Sequence, residues 1–323
     1  MKNTAQMLHL FILPIIIVAT LFLAGCALVM IEEESRRELL EPWIEITGAQ
    51  MSVSSGALGT DYVVLQTPTA ISVHGNDLYL VDIGLHRIFR YDRLQQILTP
   101  LAVNLPIQEG MSIAAAERSV YVTLPSYGKV MHFGRNGSEF APLSAPGFLA
   151  YPVFVTVDGR NGNILVVDGY YNHIVVFSNA GVLLTIIRPS QVQSISAIVT
   201  VAGKIYVIDS VAKKVVVLEW DGTFSHTFAS NEIIEPVAIA AGSGDLLFVG
   251  DNFDNSVGAY SLQNAKTPAL VTKLRGVGAL SESFGSIVGL TAENDILYVA
   301  DSLNARIQSL LINSNAIYPG RID

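Results

Sequence analysis

The amino-acid sequence predicts an all-β fold in which one structural unit is repeated six times around a ring. Three observations lead to this prediction. One strand pattern recurs about every 42 residues, its runs are rich in β-branched and aromatic residues between turn residues, and no helical periodicity follows Pro42. Repeats of about 40 to 45 residues with four short strands each are typical of propellers. We therefore predict a six-bladed β-propeller of four-stranded antiparallel blades over residues 43–323.

The N-terminal segment, residues 1–25, is predicted to be an export signal rather than part of this fold. Lys2 is the only charged side chain before an apolar run that starts at Leu8. Pro14 interrupts the run, which argues against a long transmembrane helix. The run ends in Leu23-Ala24-Gly25-Cys26, which resembles the lipobox of bacterial lipoproteins. The resemblance implies cleavage before Cys26 and attachment of fatty acyl chains, palmitate among them, to this residue.

Cys26 is also the only cysteine of the chain, so it has no partner for an internal disulfide. Several acyl chains give durable membrane attachment, and residues 26–42 would then be a lipid-anchored tether. An uncleaved membrane anchor with an incidental cysteine is the alternative. The residue after the cysteine is Ala27 and not Asp. In Gram-negative lipoproteins, the resemblance then implies sorting to the outer membrane. The expected location is the cell envelope, facing the periplasm or the cell surface.

The charge of the chain argues against one class of partner. The formal net charge is -9, only 15% of the residues are charged, and the sequence contains no run of Lys and Arg. A nucleic-acid-binding protein needs a basic surface to neutralise phosphates. We therefore expect no nucleic-acid partner.

Each repeat contains a strand-like run that ends at a fixed position, and this position is followed by a turn. The residues at this position are Asp82, Leu124, Asp168, Asp209, Asp251 and Asp301, so five of the six are aspartates. Another apolar strand precedes each run, and a more variable one closes the repeat. Upstream of the first repeat, the run WIEITG (43–48) is spare, and we predict that it completes the last blade, because an unclosed ring would expose sheet edges.

The repeats resemble the NHL repeat, which is found in six-bladed propellers. The segment LYVADSLNARIQ (297–308) is the best copy, and LYLVDIGLHRIF (78–89) and ILVVDGYYNHIV (164–175) are good ones. The block at 120 departs most, with Leu124 and Pro125 in place of the Asp turn. The resemblance covers residues 43–311. It implies the fold but not the activity, since propellers of this type include scaffolds, ligand binders and enzymes.

The repeated aspartates are interpreted as structural. A carboxylate at a strand end accepts hydrogen bonds from the backbone amides of the following turn. Catalysis needs one asymmetric group of residues, whereas these carboxylates are distributed around the ring.

The candidate ligand-binding positions are therefore those at which the blades differ. The residues expected just before each inner strand line the mouth of the channel: Thr67, Glu109, Tyr151, Ser194, Glu235 and Ser286. Glu109 and Glu235 come from opposite blades, so their carboxylates are placed to hold a divalent cation or to act as an acid–base pair. Two solvated loop carboxylates are the alternative.

Tyr170 and Tyr171 lie in a turn on the same face and are candidate contacts for a partner. Packing against the neighbouring blade is the alternative for both.

The sequence thus favours a membrane-anchored binding or scaffold module for a protein, peptide or glycan, with no cofactor and no catalytic residue assigned. The alternative is a metal-dependent hydrolase or lyase, similar to lactonases of this shape, with its site in the channel and Glu109 and Glu235 among the ligands. No nucleophile elbow and no phosphate-binding loop occur in the sequence.

Overall fold

A computed structural model describes residues 38–52, 58–102, 105–275 and 283–316. The predicted signal peptide, Cys26 and the tether up to residue 37 lie outside these residues. Residues Pro42–Ile312 form one compact unit, and the flanking described residues belong to a second one, in which the Asn313 amide donates to the Leu39 carbonyl at 2.8 Å.

The described residues contain 26 β-strands and two short 3₁₀ helices, Pro125–Tyr127 and Ser314–Ala316. The strands are β1 (Leu40–Ile46), β2 (Gly48–Ser52), β3 (Leu58–Val64), β4 (Pro68–His74), β5 (Asp77–Asp82), β6 (Arg87–Asp92), β7 (Ile97–Ala102), β8 (Ile113–Ala115), β9 (Ser119–Leu124), β10 (Lys129–Gly134), β11 (Glu139–Leu143), β12 (Pro152–Val157), β13 (Ile164–Asp168), β14 (His173–Phe177), β15 (Leu183–Ile187), β16 (Ile195–Val201), β17 (Lys204–Asp209), β18 (Lys214–Glu219), β19 (Phe224–Phe228), β20 (Pro236–Gly242), β21 (Leu246–Asp251), β22 (Ser256–Ser261), β23 (Ala269–Arg275), β24 (Ile287–Glu293), β25 (Ile296–Asp301) and β26 (Arg306–Ile312).

The strands form six sheets, each with a four-stranded antiparallel meander, and this confirms the predicted six-bladed β-propeller. The inner strands β4, β8, β12, β16, β20 and β24 contact one another in this order, and β24 contacts β4, so the ring is closed. Hydrogen bonds to side-chain hydroxyls join neighbouring inner strands. The Ser72 hydroxyl, for example, accepts a hydrogen bond from the Ala115 amide of the next blade at 2.9 Å.

The last blade is completed by the N-terminal strand β1, which lies beside β26, as the spare run at 43–48 predicted. The Ser309 hydroxyl donates to the Ile44 carbonyl at 2.8 Å and accepts from the Ile44 amide at 3.0 Å. Arg306 is buried, and its guanidinium donates to Asp301 at 2.9 Å and to Glu45 of β1. The closing strand is therefore held by an ion pair from the buried Arg306 to the exposed Glu45 as well as by the sheet.

The first blade differs from the prediction because two further strands extend it. The hairpin of β2 and β3 adds to its outer edge, and β2 runs parallel to β7 with Gln50 opposite Ile97. This gives a six-stranded sheet in the order β3-β2-β7-β6-β5-β4. The hairpin covers the edge of β7, where unpaired backbone groups would otherwise be exposed.

Apolar side chains fill the space between neighbouring blades. Between the fourth and fifth blades, for example, Phe228 packs edge-on against Tyr206 and Tyr260, with ring centroids 6.4 and 5.4 Å away. Edge-to-face pairs of this kind add about 0.5–1.5 kcal/mol to the burial of the rings. Burial raises the pKa of Tyr260 well above its usual range, so its phenol stays neutral.

The repeated aspartates are buried hydrogen-bond acceptors, which confirms their structural interpretation. Asp168, at 0% exposure, accepts from the amides of Ala150 and Tyr151 through Oδ2 and from those of Tyr170 and Tyr171 through Oδ1. One carboxylate thus joins the loop that leads into the inner strand to the turn between the second and third strands. We call the side of the propeller that carries these turns the turn face.

The second blade has no carboxylate at this position, and other groups hold its turn. Leu124 occupies the aspartate position, and the adjacent Thr123 hydroxyl accepts from the Ser112 amide at 2.7 Å. The turn itself is the 3₁₀ helix Pro125–Tyr127, closed by Gly128 with a φ of 59°. A Cβ at Gly128 would lie 3.2 Å from the Ala150 carbonyl, so this turn packs closely on the third blade.

Candidate functional site

The channel between the six inner strands widens into two cavities, one at each mouth. Five side chains line both cavities and therefore mark the level at which the two meet: Ile71, Ile113, Phe154, Ile239 and Leu290. We call these residues the apolar collar. Ile71, Phe154, Ile239 and Leu290 lie within inner strands and Ile113 begins β8, so hydrophobic residues line the channel where the two cavities meet.

The cavity on the turn face has a volume of about 290 Å³. Residues near the start of the inner strands line it, among them Thr69, Ser196 and Val288, together with Met111 before β8. The cavity at the opposite mouth is larger, about 930 Å³.

Five of the six positions predicted at the channel mouth are structurally equivalent. The amides of Thr67, Tyr151, Ser194, Glu235 and Ser286 each donate to the aspartate of their own blade at 3.0, 2.8, 3.2, 2.9 and 3.1 Å. Each of them directly precedes its inner strand. Their backbones are therefore fixed, and their side chains differ from blade to blade.

Glu109 departs from this pattern. Its inner strand β8 begins only at Ile113, so Glu109 lies four residues before the strand rather than directly before it. In the other blades an aspartate accepts from the amide of the residue before the strand, and Leu124 stands at that position in the second blade. The register still aligns Glu109 with Thr67, because Ile113 pairs with Val122 as Ile71 pairs with Leu80, and its role at the channel mouth stays a prediction.

The two glutamates differ in their relation to the channel. Both are exposed, but Glu109 lines the turn-face cavity, whereas Glu235 is not among the described residues that line it. Within the described parts of the chain, no three His, Cys, Asp or Glu side chains group so as to hold a metal ion. A cation site would therefore need ligands beyond these two carboxylates.

The two candidate tyrosines lie in the Asp turn of the third blade. Their rings meet edge to face with centroids 4.9 Å apart. Tyr171 also stacks on His173 at 5.2 Å, and the His173 ring nitrogen Nε2 lies 2.7 Å from the Phe148 carbonyl. The Tyr171 ring is thus held by the His173 ring, whereas Tyr170 is 73% exposed. Tyr151 is anchored to the same Asp168 and is also exposed.

Tyr170 belongs to a set of exposed apolar residues that was not predicted from the sequence. The side chain two positions after the repeated aspartate is large, apolar and exposed in four consecutive blades: Tyr170 at 73%, Val211 at 60%, Phe253 at 63% and Leu303 at 78%. Tyr127 in the turn of the second blade is exposed as well. We call these five residues the apolar rim. The signal was present in the sequence, since the repeats align at this position without any knowledge of the structure.

The rim is apolar although its surroundings are charged. Next to Phe253, Asp254 accepts hydrogen bonds from Lys273 at 2.9 Å and from Arg275 at 3.1 Å. Burial alone would raise the pKa of Asp254, but the Ser256 hydroxyl, Lys273 and Arg275 together hold this pKa below its ordinary value. The carboxylate is therefore ionised and paired at neutral pH, beside an unpaired aromatic ring.

The comparisons with known proteins find the fold but no family. No protein-family model and no curated protein matches the chain. Among solved structures, a chain from the nidogen/laminin complex matches with a TM-score of 0.59 and 15% identity, over 76% of this chain and 96% of that chain.

Other matching structures come from bacteria. A Bacteroides thetaiotaomicron protein of unknown function has a TM-score of 0.61 and 11% identity, over 77% of this chain and 70% of that one. A catalytically inactive variant of virginiamycin B lyase from Staphylococcus aureus with quinupristin has a TM-score of 0.56 and 14% identity, over 80% of this chain and 86% of that chain. At these identities the likeness defines the class of protein by its fold, the six-bladed propeller, and nothing finer.

Proposed function

We propose that this protein is a lipid-anchored binding module of the bacterial cell envelope, and that its turn face binds a protein partner through the apolar rim. The observation that carries the proposal is the exposure of the rim: four large apolar side chains, 60–78% exposed, stand at one equivalent position in four neighbouring blades. Single exposed apolar residues are common, whereas here they recur at one position on one face, and exposed apolar surface on one face is typical of an interaction site.

The rim is held rigidly, which favours binding. The turn below Tyr170 is fixed by the Asp168 carboxylate, and those below Val211, Phe253 and Leu303 carry the same aspartate. A backbone that is already ordered loses less conformational entropy when the turn binds a partner. Tyrosine and phenylalanine are also enriched among the residues that dominate binding energy at protein interfaces.

A protein partner fits the rim better than a glycan does. A glycan is recognised by aromatic faces with neighbouring polar groups, whereas Val211 and Leu303 offer only aliphatic surface. The rim also extends across the turns of the second to the sixth blade, which suits a broad apolar surface on a folded partner. The matching chain from the nidogen/laminin complex belongs to an assembly of two proteins, and it supports the use of this fold for protein binding.

The anchor is part of the same proposal. Cleavage before Cys26 and acylation of this cysteine would tie the propeller to a membrane through residues 26–42. In the part of the chain that the structure describes, no helix is long and apolar enough to cross a membrane. Replacement of Cys26 by Ala is expected to abolish labelling with radioactive palmitate, and unchanged labelling would contradict the anchor. The NHL-type repeats fit this role, because such propellers serve as scaffolds.

Co-purification tests the docking face. The full-length protein with Val211→Ser, Phe253→Ser and Leu303→Ser should retain its fold, since these side chains are mostly exposed, and should lose a partner that co-purifies from solubilised envelopes. Leu94→Ser is the matched control, because Leu94 is 75% exposed in the loop between β6 and β7 on the opposite face. Equal recovery of the same partner with both variants would contradict the proposal.

A hydrolase or lyase with its site in the channel is the second candidate. The position of Glu109 on the wall of the turn-face cavity favours it, and a virginiamycin B lyase is among the solved structures with this fold. In this account Glu109 and Glu235 hold a divalent cation, and the metal measurement described in the Discussion separates the two candidates.

A further inference from the structure

The larger cavity lies at the mouth opposite the turn face and is not used by the proposed docking of a protein. Its volume of about 930 Å³ lies at the upper end of the range of small-molecule sites, about 300–1,000 Å³. The ends of all six inner strands and two of the loops that follow them line it. The cavity is therefore formed by the rigid part of the propeller.

The inner end of this cavity is apolar. The apolar collar forms its floor, and the next residues on three of the inner strands are Ala114, Val199 and Ala240. These small side chains leave room above the floor. The side chains of the collar are all apolar, so a ligand that reaches the floor would place an apolar group against them.

The walls carry hydroxyl groups at the level just above the floor. Ser72 and Thr291 accept hydrogen bonds from the amides of Ala115 and Val73, at 2.9 and 3.2 Å, and both line the cavity. A hydroxyl that accepts still has a proton to donate. Thr156 lines the cavity at the equivalent position of β12. Three hydroxyl donors at one level match a ligand that is rich in oxygen acceptors.

The charged side chains at this mouth occur in pairs of opposite sign. Asp158 is buried and accepts from the Thr200 hydroxyl at 3.0 Å and from Arg160 at 3.3 Å. Glu117 and Arg118 are neighbours in the chain, and both are exposed at the rim of the cavity. Neither sign of charge is in excess, so the site favours a ligand without net charge.

We infer that the cavity opposite the turn face binds a neutral small molecule that has an apolar group at one end and an oxygen-rich polar group at the other. The apolar group would contact the collar, and the polar oxygens would accept hydrogen bonds from Ser72, Thr156 and Thr291. The binding module would then have two sites, one for a protein and one for a small molecule.

Phenyl β-D-glucopyranoside is a suitable probe, because it joins a phenyl ring to a neutral sugar. The full-length protein in lipid nanodiscs is titrated with it and followed by saturation-transfer NMR, with empty nanodiscs as the background. We expect saturable binding with the strongest transfer to the phenyl protons. Glucose, which lacks the apolar end, and phenyltrimethylammonium, which lacks the oxygens, should bind at least tenfold more weakly. Absence of saturable binding of the glucoside, or equal binding of all three compounds, would overturn the inference.

Two matched pairs of variants locate the site. Ala292 and Val288 both belong to β24, but Ala292 lines the larger cavity and Val288 the smaller one. Ala292→Phe should abolish saturable binding, whereas Val288→Phe should leave it unchanged. Thr156→Val should raise the Kd about fivefold, the equivalent of one hydrogen bond of about 1 kcal/mol, whereas Thr69→Val in the smaller cavity should not.

The outcomes separate this inference from the proposed function. Phe253→Ser on the apolar rim should leave binding of the glucoside unchanged, and Ala292→Phe should leave the protein partner bound. Thr156→Val removes a hydroxyl at nearly constant volume, so it tests the site even if Ala292→Phe does not fold. Loss of glucoside binding in the smaller-cavity variants, with retention in the larger-cavity variants, would refute the assignment.

Discussion

Replacement of Asp168 by asparagine tests the role of the repeated carboxylate. Asp168 has 0% exposure and accepts hydrogen bonds from four backbone amides, at 2.6 and 2.8 Å through Oδ2 and at 3.1 and 3.0 Å through Oδ1. Asparagine keeps one acceptor oxygen and directs its NH₂ group at two amide donors. Two hydrogen bonds to a charged acceptor are lost, and each is worth about 1.5–3 kcal/mol. The expected loss in the free energy of unfolding is therefore about 3–6 kcal/mol.

Urea unfolding followed by circular dichroism measures this loss, provided that the dependence of stability on urea is the same in both proteins. Asp92→Asn is the matched control, because the Asp92 carboxylate accepts from the amides of Leu94 and Gln95, both at 2.9 Å, in an exposed turn. Both amides donate to Oδ1, which asparagine retains, and water reaches this turn, so the cost should be about 1 kcal/mol or less. A loss below about 1 kcal/mol for Asp168→Asn would refute the reasoning.

Three further predictions concern closure, pH and metal. Arg306→Met should lower the free energy of unfolding by about 3–5 kcal/mol, because the buried Asp301 carboxylate loses its counter-ion. A loss below about 1 kcal/mol in urea unfolding would show that β1 closes the ring without this ion pair. The lowered pKa of Asp254 contributes stability above the unfolded carboxyl pKa of about 3.9, and this is lost as the pH falls through the folded value. The wild type should therefore exceed Asp254→Asn in Tm at pH 7 and approach it near pH 2; a constant difference would contradict this. Calcium or zinc should leave the Tm unchanged, and metal analysis should find no stoichiometric metal, whereas a rise in Tm abolished by Glu109→Gln and Glu235→Gln would support the channel enzyme.

The sequence was sufficient for those parts of the fold that repeat. Six copies of one pattern located the inner strands, and five aligned aspartates predicted the buried acceptors at Asp82, Asp168 and their equivalents. The closing strand was predictable because the last repeat lacked a fourth strand and a spare apolar run preceded the first. Each of these predictions depended on comparing one repeat with another.

The parts that do not repeat escaped prediction. The hairpin β2–β3 has no copy in the other blades, so no alignment pointed to it, and its parallel pairing with β7 joins segments that share no pattern. Glu109 was placed by alignment, and the later start of β8 at Ile113 was not predicted because the second blade lacks the aspartate that the other blades share. The larger cavity depends on small side chains from six separate strands, and no local pattern indicates a volume.

The most direct test of the central claim is photo-crosslinking in intact cells from the apolar rim. A photoreactive phenylalanine at Phe253 should yield a crosslinked adduct with one envelope protein, and Leu303→Ser should weaken this adduct. The same photoreactive group at Leu94, which is equally accessible on the opposite face, should not yield it. Adducts of the same protein from both positions, or from Leu94 alone, would contradict docking through the turn face.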